Sequence, residues 1–181
     1  TITDDKGATD SITKTINVTE QTAPSDQVHN LTKDIYYDTI QEALDDADDN
    51  NTIEVADGTY DESIAFPSGK KIILQSVNGA SSTTIRGNNG SPTVISNGSL
   101  EDTTLEGFTI AHNSGENGRG IDISGGFLII ENCIISGNTA IHGGGIFNDG
   151  VLDITSSTIS DNTADDSGGG IYNDGALDIT S

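Results

Sequence analysis

Four aspartates in the last third of the sequence recur at a fixed spacing and could together bind a cation. Asp149 and Asp174 occupy equivalent positions of two consecutive repeats, and so do Asp153 and Asp178. Neighbouring carboxylates repel one another unless a cation or water intervenes, and Ca²⁺ prefers about six to eight oxygen ligands, which acidic turns and backbone carbonyls can supply. The four aspartates are therefore candidate calcium ligands, although turn formation explains Asp149 and Asp174 without any ligand.

Three further side chains are candidates for contact with a ligand at the surface. Arg119 interrupts a glycine run as GRG, and His112 and His142 lie near turns of neighbouring repeats. The alternative interpretation of all three is that they are solvent-exposed turn residues. Cys133, the only cysteine, lies in the apolar run IIENCIIS and is expected to fill space in the core.

The elements that must position these residues follow from a repeat of about 25 residues. GRGI at 118–121 recurs as GGGI at 143–146 and again at 168–171. Between the glycines, runs such as LIIENCIIS alternate every second residue and end at GG, NDG or GN turns, which is typical of strands and not of helices. Three short strands and three turns fit into one such repeat. The sequence therefore predicts an all-β fold, a parallel β-helix built from coils of about 25 residues.

Stacked coils place equivalent residues above one another at a spacing of about 4.8 Å. Ile121, Ile146 and Ile171 are expected to form an internal apolar ladder. A second ladder is expected at one turn, where asparagine amides bond from coil to coil. Its predicted members, one from each of four successive repeats, are Asn88, Asn113, Asn138 and Asn162.

A short capping helix is predicted near residues 38–48, ahead of the first coil. Asp38 is the predicted N-cap, with Gln41 as its capping-box partner. The helix would cover the apolar end of the coil stack. Its predicted apolar face consists of Ile40, Ala43, Leu44 and Ala47.

The stretch GGGIYNDGALDITS resembles proteins of the pectin-lyase-like superfamily, especially the repeats of bacterial and archaeal surface proteins that include polymorphic outer-membrane types. TIQEALDDADDNNTIEVADGTY resembles the start of pectin methylesterases and related β-helix enzymes, where this stretch is scaffold and not active site. The resemblance covers roughly residues 30–181 and implies a right-handed parallel β-helix. Because the sequence stops in mid-repeat, we expect the solenoid to continue beyond Ser181. Enzymes of this superfamily use clustered Asp with an arginine base, or paired Asp with Gly-His-Gly and Arg-x-Lys segments. Neither set can be matched, since Arg86 and Arg119 are the only arginines.

A different resemblance marks the beginning of the sequence. Residues 1–19, TITDDKGATDSITKTINVT, resemble the last two strands of a PKD-type immunoglobulin-like module and are too few to complete its sandwich. Residues 20–29 are interpreted as a linker and residues 30–181 as the β-helix. PKD modules serve as spacers or sugar-binding accessories, so the resemblance implies a secreted or cell-surface chain.

The composition of the chain excludes some classes of binding partner. The 181 residues include 7 basic and 29 acidic side chains, and the formal net charge is -22. This argues against nucleic acid and anionic membranes, which need positive charge at the contact. The sequence also has no apolar run of membrane-spanning length, so direct membrane insertion is not expected. Polysaccharides, cell-surface glycans and cations remain as partners, and calcium is the one cofactor indicated.

Three functions stay open. The regular repeats and the missing catalytic sets favour a non-catalytic, extracellular or cell-surface module that binds a glycan, another cell or the matrix, as an adhesin does. The alternative is a polysaccharide lyase or hydrolase whose catalytic coils lie beyond this segment. The third is a stalk-like spacer that binds no ligand.

Overall fold

The computed structural model describes residues 2–3, 9–10, 27–88, 90–98, 102–112 and 118–181. These residues form short strands and a helix, α1, at Ile40–Asp46. The strands, numbered in chain order, are β1 (Ile2–Thr3), β2 (Thr9–Asp10), β3 (Val28–Asn30), β4 (Ile35–Tyr37), β5 (Asn51–Val55), β6 (Gly58–Tyr60), β7 (Ile64–Phe66), β8 (Ile72–Ser76), β9 (Thr83–Gly87), β10 (Val94–Ser96), β11 (Asp102–Glu106), β12 (Thr109–His112), β13 (Ile121–Ile123), β14 (Phe127–Glu131), β15 (Ile134–Ser136), β16 (Thr139–His142), β17 (Ile146–Asn148), β18 (Val151–Thr155), β19 (Thr158–Ser160), β20 (Thr163–Ser167), β21 (Ile171–Asn173) and β22 (Ala176–Thr180).

From β5 onward, successive strands apart from β16 and β20 belong in turn to three sheets, which form three faces of the solenoid. The first face has the strand order β22-β18-β14-β11-β8-β5-β3-β4, the second face β19-β15-β12-β9-β6, and the third face β21-β17-β13-β10-β7. From β5 onward, neighbours within a face come from successive coils and pair in parallel. The predicted fold is confirmed: the chain is a parallel β-solenoid whose coils have the length expected from the sequence repeat.

Alternation along each strand determines which side chains enter the solenoid. On the third face Ile121 pairs in register with Ile146, and Ile146 with Ile171, so the three isoleucines stack inside. Ile121 and Ile146 are fully buried, and Ile171 packs against the same core. Each buried isoleucine contributes roughly 1.5–3 kcal/mol by leaving water. Because the chain has no Trp or Met, ladders of Ile, Leu and Val make up most of the core.

Corners between strands depend on glycine at two repeated positions. Gly143 and Gly168 have φ of 62° and 73°, in the left-handed region. A Cβ at either residue would lie 2.6 Å from a carbonyl oxygen, that of Ile146 or Ile171. The GGGI repeat is therefore a backbone requirement of the corner. Beside this corner β16 and β20 pair in parallel and add a fourth short strand to two coils, which the sequence did not predict.

Helix α1 covers the N-terminal end of the solenoid, as predicted, with Ile40, Ala43 and Leu44 buried. Its N-cap is Thr39 and not Asp38, because the Thr39 side chain accepts a hydrogen bond from the Glu42 amide at 3.1 Å.

The predicted capping-box partner of this helix has a different role. Gln41 uses its side-chain oxygen to accept from the backbone N–H of Ala65 in β7, at 2.7 Å. The Glu62 carboxylate instead accepts from the Ile40 and Gln41 amides, at 3.0 Å each. An acidic group from the neighbouring coil thus stabilises the positive end of the helix.

The solenoid sheet begins earlier than expected. Strand β3 pairs antiparallel with both β4 and β5, and its Val28 is buried opposite Val55. Residues 28 and 29, interpreted as the end of the linker, therefore belong to the first face. Most of the PKD-like stretch and linker (residues 1, 4–8 and 11–26) lies outside the described residues. Among the residues that are described before β3, strands β1 and β2 form an antiparallel pair.

Candidate functional site

A column of one cation and two aromatic rings lies on the outside of the third face. The Arg119 guanidinium carbon lies 4.2 Å from the centre of the Phe147 ring. The rings of Phe147 and Tyr172 are nearly parallel, with 5.2 Å between their centres and 4° between their planes. We call Arg119, Phe147 and Tyr172 the cation–aromatic column. Both kinds of contact are favourable, by about 0.5–1.5 kcal/mol each.

Strand register builds this column. Asp122, Phe147 and Tyr172 pair side by side in β13, β17 and β21. Their neighbours on either side in each strand point into the solenoid, which leaves these middle positions to face outward. Phe147 and Tyr172 are half-buried, so both rings remain accessible at the surface.

Arg119 is held in place by polar contacts on the coil before Phe147. Its Nε donates to the carbonyl oxygen of His142 at 3.0 Å, and its Nη1 donates to the Asp122 carboxylate. Asp122 also accepts from the Ser124 hydroxyl. The planar guanidinium is thus fixed over the Phe147 ring, and its charge is locally balanced by Asp122. These bonds involve two of the five guanidinium N–H groups.

The His142 ring lies beside Tyr172 of the column. Its ring centre lies 5.5 Å from that of Tyr172, while its Nδ1 lies 3.0 Å from the Ser167 hydroxyl and 3.4 Å from an Asp166 carboxylate oxygen. A catalytic triad requires the serine and the acid to contact opposite nitrogens of the histidine. Here both contact the same nitrogen, so this Ser, His and Asp set provides polar groups and not a nucleophile.

A cavity of about 250 Å³ opens beside Arg119. It is lined by Gly90, Pro92, Gly118, Arg119, Ala140 and Ile141. His112 supports it from below: its Nε2 lies 3.1 Å from the carbonyl oxygen of Ser91, and a Cβ on Gly118 would fall 2.2 Å from its ring. His112 is only 6% exposed, so it is not accessible for the surface contact predicted from the sequence.

The predicted asparagine ladder is visible in part. Asn138 is fully buried and donates from Nδ2 to the Asn162 side-chain oxygen at 2.9 Å, one coil along. Asn162 and Asn88 each donate to a carbonyl oxygen of the preceding coil, that of Ile135 and of Asp61 respectively. Asn113 lies outside the described residues.

A second ladder of asparagines was not predicted. Asn148 and Asn173 pair in register, and the fully buried Asn148 donates to the Asn173 side-chain oxygen at 2.6 Å and to the Ala176 carbonyl at 2.9 Å. The signal was present in IFNDG and IYNDG, which the sequence analysis used only for the Asp-Gly turn. The same repeat contains Phe147 and Tyr172, so it also contained the signal for the column.

The four candidate calcium ligands lie in equivalent positions of two coils. Asp153 pairs in register with Asp178 on the first face, and Asp149 and Asp174 are exposed at the following corner of the third face. In the described part of the chain, no three His, Cys, Asp or Glu side chains converge as a metal site. Calcium binding by these aspartates stays a prediction, which melting temperatures in Ca²⁺ and Mg²⁺ at equal ionic strength would test.

The side chains with shifted pKa values lie away from the cation–aromatic column. The Arg86 guanidinium, which bonds both oxygens of Asp61, lowers the pKa of that carboxyl. Hydrogen bonds from Tyr37 and Lys33 lower the pKa of Asp46 in the same way. Burial raises the pKa of the Cys133 thiol to about 11, so this thiol is unreactive in the folded chain.

Comparison with known proteins does not assign the chain to a family. The chain matches no protein-family model, no curated protein sequence and no solved structure. The resemblances to pectin-lyase-like and PKD proteins therefore stay proposals. Within the described ranges, no helix is both long enough and apolar enough to span a bilayer.

Proposed function

We propose that the chain is a non-catalytic, extracellular or cell-surface module that binds a neutral glycan along the third face of its solenoid. The observation that carries the proposal is the cation–aromatic column. It combines two half-exposed aromatic rings with fixed polar groups from Arg119, His142 and Asp166. Because Arg119 and Tyr172 lie against the Phe147 ring, a sugar would contact the exposed ring edges with its C–H groups and the polar groups with its hydroxyls.

Charge supports a neutral ligand over an acidic one. The chain has a formal net charge of -22, and Asp122 balances the charge of the one arginine at the column. An acidic polysaccharide would meet this negative field at the column without an unpaired cation there to receive it. Neutral glycans avoid that repulsion, which also argues against pectate or alginate as the ligand of these coils.

Spacing supports a chain-like ligand. Successive coils rise by about 4.8 Å, close to the length of one sugar unit in an extended polysaccharide. Arg119, Phe147 and Tyr172 come from three successive coils, so an extended glycan could contact one coil with each sugar. The surface-protein type within the pectin-lyase-like superfamily is the family we propose, on the GGGI repeats and the stacked parallel coils that they form.

An array of neutral and acidic glycans, probed with the chain and two tyrosine variants, tests the proposal. Tyr172→Ala should lose up to about tenfold in affinity, since an aromatic contact contributes about 0.5–1.5 kcal/mol. Tyr36→Ala is the matched control, because Tyr36 is 49% exposed at the opposite end of the solenoid.

Three results would contradict the proposal. They are binding to no neutral glycan, equal loss in both tyrosine variants, and a preference for acidic glycans. Cleavage of the bound polymer would favour the lyase or hydrolase alternative.

A further inference from the structure

The cavity beside Arg119 has a composition of its own. Pro92, Ala140 and Ile141 contribute apolar surface, while Gly90 and Gly118 leave the backbone open to a ligand. Ile141 is 62% exposed, so its side chain is accessible to a ligand in the cavity. At about 250 Å³ the cavity is smaller than sites for drug-sized ligands, so it suits one small group or sugar unit.

Arg119 joins this cavity to the cation–aromatic column. Its Nε and Nη1 are bonded to His142 and Asp122, while the guanidinium carries five N–H groups in all. The remaining N–H groups can donate to a ligand that lies in the cavity or against the column. A ligand bound on the column is therefore placed to send a substituent into the cavity.

Hydrogen bonds and close packing join the residues beside the cavity. Gly118 donates its N–H to the Thr139 carbonyl oxygen at 2.7 Å, which ties the corner before β13 to β16. The His112 ring fills the space under Gly118 and also contacts the Ser91 carbonyl. The described lining residues of the cavity thus come from three successive coils.

We infer that this cavity recognises the acetamido group of an N-acetylated sugar bound along the column, an inference that rests on the proposed function. The acetamido methyl would pack against Pro92, Ala140 and Ile141, and its carbonyl oxygen would accept from Arg119. The group is neutral, so it adds no charge to the acidic surface. A hydroxyl at the same position is too small to bury the apolar lining, and a carboxylate would lie near Asp122.

Matched sugars test the inference directly. The full chain is titrated calorimetrically with β-1,4-linked trimers of N-acetylglucosamine and of glucose, which differ only in the acetamido group, and with the corresponding N-acetylgalactosamine and galactose pair. We expect at least one N-acetylated sugar to bind about tenfold more tightly than its hydroxyl counterpart. Equal affinity within both pairs, or binding of none of the four while the array shows another neutral glycan bound, would overturn the inference and leave the proposed function standing. Binding to no neutral glycan at all would overturn both.

Two variants separate the cavity from the column. Ile141→Ser should remove the preference for the acetamido group and leave the affinity for the hydroxyl sugar unchanged. Tyr172→Ala should instead lower the affinity for both sugars by the same factor. Val77→Ser is the control, since Val77 is 49% exposed elsewhere on the solenoid. An Ile141→Ser chain that keeps the full preference would contradict the assignment of this cavity.

Discussion

Asparagine amides inside the solenoid hold neighbouring coils in register. Asn148 is fully buried, and its amide gives both of its described donor bonds to the next coil, to Asn173 and Ala176. Its oxygen accepts from the Gly150 amide at 3.1 Å. A buried amide with several partners is costly to disturb, because each group left unpaired loses its solvation without compensation.

Replacing one amide in this ladder by a carboxylate should expose the directional requirement. Asn148→Asp sets an acceptor against two acceptors, so the free energy of unfolding should fall by about 2–4 kcal/mol. Asn173→Asp is the matched control: it keeps an oxygen for the Asn148 amide, and residue 173 is exposed. We expect a loss below about 1 kcal/mol there. Equal losses in urea denaturation would contradict the ladder.

Cys133 gives the fold a dependence on alkaline pH. Its pKa is raised from 9.0 to about 11 because burial disfavours the thiolate. The unfolded chain loses this proton at lower pH, so the stabilising contribution is complete below the ordinary pKa and is lost as pH rises through about 11.

Urea denaturation at two pH values tests this contribution. Between about pH 8 and pH 10 the free energy of unfolding should fall about 1 kcal/mol more in the native chain than in Cys133→Ala. Parallel pH profiles of the two chains would show that the thiol is not desolvated as the structure indicates.

At the scale of elements, helix α1 shows how the first coil stabilises the helix that covers it. Two of its N-terminal amides, which have no partner within the helix, donate to the Glu62 carboxylate. Glu62 belongs to the segment between β6 and β7. The helix has seven residues, too few to be stable alone, and relies on this contact and on its buried face.

A graded pair of variants tests the cap. Glu62→Gln keeps one acceptor and removes the charge, and Glu62→Ala removes both. We expect losses of unfolding free energy of about 0.5 and 1–2 kcal/mol, respectively. Hydrogen exchange at the Ile40 and Gln41 amides should accelerate in the same order. Unchanged exchange in Glu62→Ala would show that the cap does not form.

Elements were predictable from the sequence where their cause lies within one repeat. The coil length and the helix follow from periodicity in the sequence, because each apolar side chain there has a fixed direction. The N-cap was wrong by one residue, since Thr39 and Asp38 are both good caps and Glu62 lies 22 residues away from Ile40. Strands β16 and β20 were missed because their pairing depends on a corner and not on an apolar pattern.

At the scale of the whole molecule, like charges stack along the solenoid. Glu106 and Glu131 pair in register on the first face, as Asp153 and Asp178 do. Carboxylates side by side repel one another, and the net charge of -22 adds a general repulsion. The chain should therefore become more stable as salt screens these charges.

Removing one charge of a stacked pair should stabilise the fold at low ionic strength. Glu131→Gln is expected to raise the melting temperature in low salt and to lose this gain in about 1 M NaCl, where the Debye length falls to about 3 Å. Glu54→Gln is the control, because neither of its register neighbours, His29 and Gln75, carries a carboxylate. A gain from Glu131→Gln that survives high salt would point to packing and not to charge.

The candidate site could not be predicted as the fold was. The GGGI repeat determines which residues stack, and it placed Ile121, Ile146 and Ile171 without knowledge of the structure. The column joins Arg119 to Phe147 of the next coil through a side-chain orientation that depends on Asp122 and on the His142 backbone. The cavity likewise needs three coils in contact, so its composition follows from their stacking and not from a local motif.

The central claim is that a neutral glycan binds the third face at the cation–aromatic column, and NMR titration of the labelled chain tests it most directly. With a neutral oligosaccharide from the array, chemical-shift changes should centre on Arg119, Phe147 and Tyr172 and fade toward Glu106 and Glu131 on the first face. Saturable shifts confined to the first face, or none on the third face at saturating sugar, would contradict the account.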